Sequence, residues 1–152
     1  MRSLHVVLPA ALTLCLTACA GPARRGSSSG ATLAETARGQ LGARYKFGGR
    51  SPGEGFDCSG LAWWTHSRHG LRIPATSFGQ FEGGRKIGRK RLMPGDLLFF
   101  TTYREGPSHV GVYTGRGTFI HAPKDGSRVR EDRLSDAYWE RRYLGARRYL
   151  PE

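Results

Sequence analysis

Three short apolar, β-branched or aromatic runs, 96–101, 109–114 and 118–121, follow one another in the second half of the chain, broken by Pro and Gly. Runs of that length and composition are strands. Helical patterns come before them. Leu33, Ala37 and Leu41 recur at helical spacing over 33–41, and 58–69 carries Leu61, Ala62, Trp64 and Thr65 as inner positions before Gly70 ends it. Helices first and a run of strands after predict an α+β fold with helices packed on an antiparallel sheet of about five to six strands, not an alternating α/β fold. Smaller elements are expected around this frame: a short turn or helix within 74–84, a strand over 128–130, a helix over 135–142 and a closing strand over 145–150. The 152 residues suit one domain and leave no room for two sizeable cores.

The first 18 residues read as an export signal. Arg2 lies in a short polar start, 6–16 is apolar apart from Pro9 and Thr13, and small residues follow. Eleven helical residues are too few to span a bilayer. The segment closes on Leu16-Thr17-Ala18-Cys19, which resembles the bacterial lipoprotein box. That resemblance implies acylation of Cys19, and Ala20 after it implies the outer rather than the inner membrane. Residues 19–32, rich in Gly, Ser and Pro, then read as a lipidated start and flexible tether reaching ~20 Å, with the domain itself over 33–152.

This arithmetic leaves one thiol. Cys15 leaves with the signal and Cys19 is capped by lipid, so only Cys58 stays in the folded domain and no internal disulfide can form. By itself a lone Cys reads as an inert buried thiol. Cys58, however, stands where a Gly-rich loop, 42–55, gives way to a helix. Free backbone N–H groups and the positive end of the helix dipole lie there, and both favour thiolate, the nucleophilic form. The same amides can hold an oxyanion.

A thiolate nucleophile needs a base. His66 and His69 sit along the Cys58 helix and read as surface or packing residues. His109 and His121 each adjoin a strand, with Gly115-Arg116-Gly117 as the turn between them. In a hairpin centred near residue 115 these two positions face each other, so the imidazoles are expected side by side. Either His alone reads as a core residue. Together with Cys58 they form a Cys-His-His set, one His as base and the other holding its tautomer.

Longer stretches of text then carry a resemblance. They are Gly42-Ala43-Arg44-Tyr45-Lys46-Phe47-Gly48-Gly49, Gly55-Phe56-Asp57-Cys58-Ser59-Gly60-Leu61, Ile73-Pro74 with Ser77 and Gln80, Pro94-Gly95-Asp96-Leu97-Leu98-Phe99-Phe100, His109-Val110-Gly111-Val112-Tyr113, and Phe119-Ile120-His121-Ala122. From about Leu33 to Leu150 the chain resembles the NlpC family of papain-like cell-wall cysteine peptidases. The resemblance implies a papain-like fold, Cys58 as nucleophile, His109 as general base, His121 as orienting residue and Tyr45 as a phenol facing the site. It also implies substrate contacts from Asp57, Ser59, Ser77 and Gln80, and no metal or other cofactor. Two positions depart from the pattern. Phe47 stands where Trp is commoner, and Ala75 where Arg often follows Pro74, which removes one contact to a substrate carboxylate that Arg50 or Arg72 would have to replace.

The chain carries 24 Lys and Arg against 12 Asp and Glu, a formal charge of +12. Such an excess suits anionic partners: nucleic acid, phospholipid or acidic wall polymers. Export excludes nucleic acid. The cluster Arg85, Lys86, Arg89, Lys90 and Arg91 is expected to be a solvated loop, with long-range attraction to peptidoglycan carboxylates as its functional alternative.

The sequence thus reads as a monomeric, lipid-anchored murein endopeptidase of the cell envelope, facing the periplasm. Its substrates are stem peptides, and the resemblance leans toward the D-Ala–diaminopimelate cross-link. Cutting between D-Glu and diaminopimelate is the alternative within the family. Two readings outside it are a zinc hydrolase ligated by Cys58, His109 and His121, and a non-catalytic wall-binding lipoprotein.

Overall fold

The computed structural model describes residues 29–151. The export signal and most of the tether lie outside the described residues. Four helices and eight strands follow in chain order: α1 (Gly30–Arg38), β1 (Arg50–Ser51), β2 (Gly55–Phe56), α2 (Cys58–Ser67), α3 (Ser77–Gly83), β3 (Arg85–Ile87), β4 (Leu97–Phe100), β5 (His109–Gly115), β6 (Thr118–His121), β7 (Arg130–Arg133), α4 (Ala137–Glu140) and β8 (Tyr143–Arg148). Six strands form one antiparallel sheet in the order β3-β8-β4-β5-β6-β7, and β1 and β2 form a small ribbon beside it. The fold is the expected α+β arrangement. Among the described residues no helix is long and apolar enough to cross a membrane.

Three of the four helix starts have a local cause in a capping side chain. Ser29 accepts a hydrogen bond from the Thr32 N–H, Asp57 from the Gly60 N–H and Thr76 from the Gly79 N–H. Each satisfies a backbone donor the helix itself leaves unpaired. The Ser29 cap starts α1 three residues before the expected Leu33, so the last residues assigned to the tether are helical.

β4 reads Leu-Leu-Phe-Phe and is buried on both faces. Leu97 and Phe99 join Val110, Val112 and Ile120 under α1 and α2, packed on Ala37, Leu61 and Ala62. Leu98 and Phe100 face the other way, against Tyr113, Phe119, Leu134 and Trp139 of α4. The sheet therefore has a helix-covered face and a second apolar layer closed by α4.

The basic cluster is not a loop. β3 pairs with β8 at one edge of the sheet, with Arg85 opposite Arg148, and Arg89–Arg91 forms a 3-10 turn. Arg89 pairs with Glu140 at 3.3 Å. Charged side chains on a short edge strand oppose pairing with a foreign strand, which gives these residues a structural use. The strand expected at 128–130 lies two to three residues later, as β7.

Candidate active site

Cys58 is the first residue of α2 and is half-buried. The loop before it is shaped by Asp57, whose carboxylate accepts from the Gly60 N–H at 2.7 Å, the Ser59 hydroxyl at 3.1 Å and the Gly48 N–H at 2.8 Å. Gly60 must be glycine: a Cβ there would lie 2.0 Å from the Gly49 carbonyl oxygen. The helix start and the Gly48–Gly49 loop are thereby locked together around the thiol.

His109 begins β5 and His121 ends β6. Their register differs from the expected one. Val112 pairs with Ile120 and Tyr113 with Phe119, with a bulge before Gly115. The shift is two residues, so His121 lies diagonal to His109 rather than opposite it. Side chains alternate with period two, so both still share a face. His109 Nε2 and His121 Nδ1 are 2.9 Å apart.

That face is the α4 side. Trp139 stacks on the His109 ring at 5.3 Å and meets the His121 ring edge-on at 4.9 Å. Cys58 instead packs against the α1–α2 layer. The imidazoles therefore do not lie across the sheet face from α2, as expected. Cys58 and His109 come to one cavity of about 540 Å³ at the strand end, which both line. The Val110 N–H also hydrogen-bonds toward the sulfur.

Asp132 of β7 completes a chain of groups. Its Oδ2 lies 3.0 Å from His121 Nε2, and it also accepts from Trp139 Nε1 at 3.0 Å and from the Arg130 guanidinium at 3.1 Å. Burial opposes its charge. The hydrogen bonds from His121, Arg130 and Trp139 outweigh that and hold the carboxyl well below the usual carboxylate range.

This anion fixes every proton along the chain. His121 must donate from Nε2. Burial lowers the His121 pKa, so the ring is neutral and its Nδ1 accepts. His109 therefore donates from Nε2, and its Nδ1 carries the free lone pair. Burial and the neighbouring His121 push the His109 pKa down to about 3, so it too is neutral. The arrangement presents an unprotonated imidazole nitrogen.

The thiol differs from expectation. Burial, then the charge of Asp57, pushes Cys58 up to about 11, against backbone N–H groups of Val110, Ser59 and Cys58 itself. A helix dipole contributes only ~0.3–1 kcal/mol, less than burial of a charge costs. Burial of the site therefore works against the thiolate that the helix start favours.

Tyr45 lines the cavity, and burial plus Cys58 and Asp57 push its phenol up to about 12, so it stays a donor. Asp57, Ser59 and Ser77 line the cavity as well. Gln80 does not. It is fully buried, and its amide donates to the Ser59 and Pro74 carbonyls at 3.1 and 2.9 Å, so it supports the wall instead of touching substrate. Arg50 lies over the Trp63 ring, and neither it nor Arg72 lines the cavity; Arg104 and Lys124 are its cations. His66 is a packing residue: its Nδ1 donates to the Ala62 carbonyl at 2.8 Å, and burial lowers it to about 4. His69 Nε2 lies 2.7 Å from the Thr36 hydroxyl of α1.

Sequence reasoning missed Asp132 and Trp139. Asp132 was legible in principle, since a strand paired on β6 one step further along puts the Arg-Glu-Asp-Arg acid on the His121 face. Trp139 gave no signal, because α4 reaches the histidines only through the tertiary fold.

The sequence model of the NlpC/P60 family matches residues 42–148, most of the described chain. The chain belongs to the NlpC/P60 family. It is 43% identical over 115 residues to the murein DD-endopeptidase MepH of Escherichia coli, covering 73% of this chain and 42% of that protein. It is 38% identical over 117 residues to the probable peptidoglycan endopeptidase LytE of Bacillus subtilis, covering 77% and 34%. The chain thus spans less than half the length of either relative. Among solved structures, an NlpC/P60 family protein from Bacillus cereus superposes with a TM-score of 0.76 at 35% identity, over 82% of this chain and 41% of that one. The NlpC/P60 domain of the peptidoglycan hydrolase SagA superposes with a TM-score of 0.69 at 31% identity, over 80% and 99%.

Proposed function

We propose that this NlpC/P60 domain is a cysteine endopeptidase of peptidoglycan stem peptides, anchored to the outer membrane through acylated Cys19 and working from the periplasmic side of the envelope. The observation that carries the reading is the hydrogen-bonded series Asp132, His121, His109, which leaves a bare imidazole nitrogen in the cavity that holds Cys58. The relatives named as murein and peptidoglycan endopeptidases supply the substrate class.

The steps follow from the protonation states. The Cys58 proton passes to His109 and the sulfur attacks the amide carbonyl. Backbone N–H groups at the start of α2 and the Tyr45 phenol are the donors available to the oxyanion. His109 then hands its proton to the leaving nitrogen as the C–N bond breaks, leaving a thioester. Water attacks it, His109 takes the water proton, and the sulfur leaves and is reprotonated. Throughout, His121 and Asp132 hold the His109 ring in the one useful tautomer and stabilise its charge.

The zinc reading fits this geometry poorly. Both ring nitrogens of His121 are engaged, by His109 and Asp132, so it has no free donor to share with Cys58. The bond favoured is the D-Ala–diaminopimelate cross-link. Mass spectrometry of fragments released from purified peptidoglycan tests it. Cross-linked dimers converted to monomers with intact stems are expected; stems shortened between D-Glu and diaminopimelate would move the assignment to the other bond.

A further inference from the structure

The cleft has two halves. One, of about 540 Å³, contains Cys58 with Tyr45, Asp57, Ser59 and Ser77. The other, of about 600 Å³, is lined by Arg130, Asp132, Asp136, Tyr138 and Trp139 and does not touch Cys58. His109, Tyr103, Pro123 and Lys124 line both, so they form the junction.

The chemistry of acyl transfer gives these halves different occupants. The acyl part of the substrate ends up on the sulfur and must lie in the half that contains Cys58. The leaving nitrogen must lie where His109 can protonate it. The half beyond His109, without sulfur, is then where the leaving residue extends. We infer that this second half is a leaving-amine subsite that reads a free carboxylate on the carbon next to the scissile nitrogen, with Lys124 as its principal cation. The inference rests on the proposed endopeptidase activity.

The charges in the subsite support that ligand class. Arg130 is committed to Asp132 by Nε at 3.1 Å and by a second nitrogen at 3.1 Å, so most of its charge is already answered. Lys124 is in none of the ion pairs formed among the described residues, and Asp125 beside it lines only the half that contains Cys58. Asp136 lines only the outer half, whereas Lys124 stands at the junction with His109. A carboxylate one carbon from a nitrogen that His109 protonates belongs at the junction, which Lys124 lines and Asp136 does not. Tyr103, Tyr138 and Trp139 give apolar surface for the aliphatic remainder of the leaving residue. The D-Ala–diaminopimelate cross-link has such a free carboxylate. In the D-Glu–diaminopimelate bond of a stem that continues to D-Ala, the equivalent carboxyl is tied up as an amide.

Two synthetic cross-linked dimers, differing only in carboxylate or carboxamide next to the scissile nitrogen, test the inference. Wild-type kcat/KM should favour the carboxylate by about 5- to 20-fold, the range for a hydrogen-bonded charge that is partly solvated. Lys124→Gln should abolish the preference and Lys124→Glu should invert it, each with the wild-type melting temperature, since Lys124 is exposed. Equal kcat/KM for the two dimers in the wild type, or a preference that survives Lys124→Gln, overturns the subsite while cleavage still depends on Cys58. Cleavage that survives Cys58→Ala overturns the activity and the subsite with it.

Discussion

Every neighbour of the Asp132 carboxylate that contacts it is a donor: His121 Nε2, Trp139 Nε1 and the Arg130 guanidinium. An amide nitrogen placed there meets a donor whichever way it turns. Asp132→Asn should therefore disturb the proton order along the series as well as its charge. We expect kcat to fall by about 10- to 100-fold, the usual scale of acid–base contributions, with KM changed less than about twofold. Removing the anion disfavours imidazolium, so the acid limb of the kcat profile should move to lower pH. A purely structural role for Asp132 would leave that limb in place, and measuring kcat against pH in both proteins separates the two. The local positions of Cys58, His109 and His121, a helix start and two strand ends, were legible in the sequence because each combines a rare residue type with a nearby break in the pattern. Their protonation was not. Burial sets it, and burial depends on Trp139 and on layers no local pattern reveals.

At the scale of elements, β4 and β8 hold the sheet behind the site in register, and an ion pair between a buried acid and a partly exposed Arg fastens them. Asp96 at the head of β4 is fully buried. Its oxygens accept from Arg148 of β8 at 2.6 and 2.8 Å and from the Met93 N–H at 2.8 Å. Removing one partner of such a pair leaves the other unanswered. Asp96→Ala should cost about 3 kcal/mol, the low end of that range because Arg148 can swing to solvent, and should lower Tm by roughly 10 °C. Calorimetry would show it, and a Tm within about 2 °C of wild type would contradict the assigned role. Strong elements were readable here: 58–69 as a helix, and the three central strands, whose apolar runs have the right length. The weak ones were not. β3 hid in a basic cluster because an edge strand needs little apolar character, and β1 and β2 hid in a Gly-rich loop because two-residue strands exist only through their partners.

For the whole molecule, three buried histidines couple folding to pH. Burial lowers His66 to about 4 and His109 to about 3, and lowers His121 as well. Unfolded, each binds a proton near pH 6.5. The unfolded chain thus takes up protons first as pH falls, so this stability is complete above pH 6.5 and drains away toward pH 3–4. Tm should fall steadily between pH 7 and pH 4, and a flat profile would contradict neutral burial of these rings. The lipid-anchor reading, by contrast, rests on residues before Ser29 and so on the sequence alone. What unites fold and chemistry is that helix start, strand ends and α4 converge on a single cleft around one thiol. The most direct measurement is digestion of purified peptidoglycan by wild type and Cys58→Ala at equal concentration of folded protein. Wild type should release muropeptides and Cys58→Ala none, with their melting temperatures close together. Release by Cys58→Ala within a few-fold of wild type would contradict the account, because some other group would then be doing the chemistry.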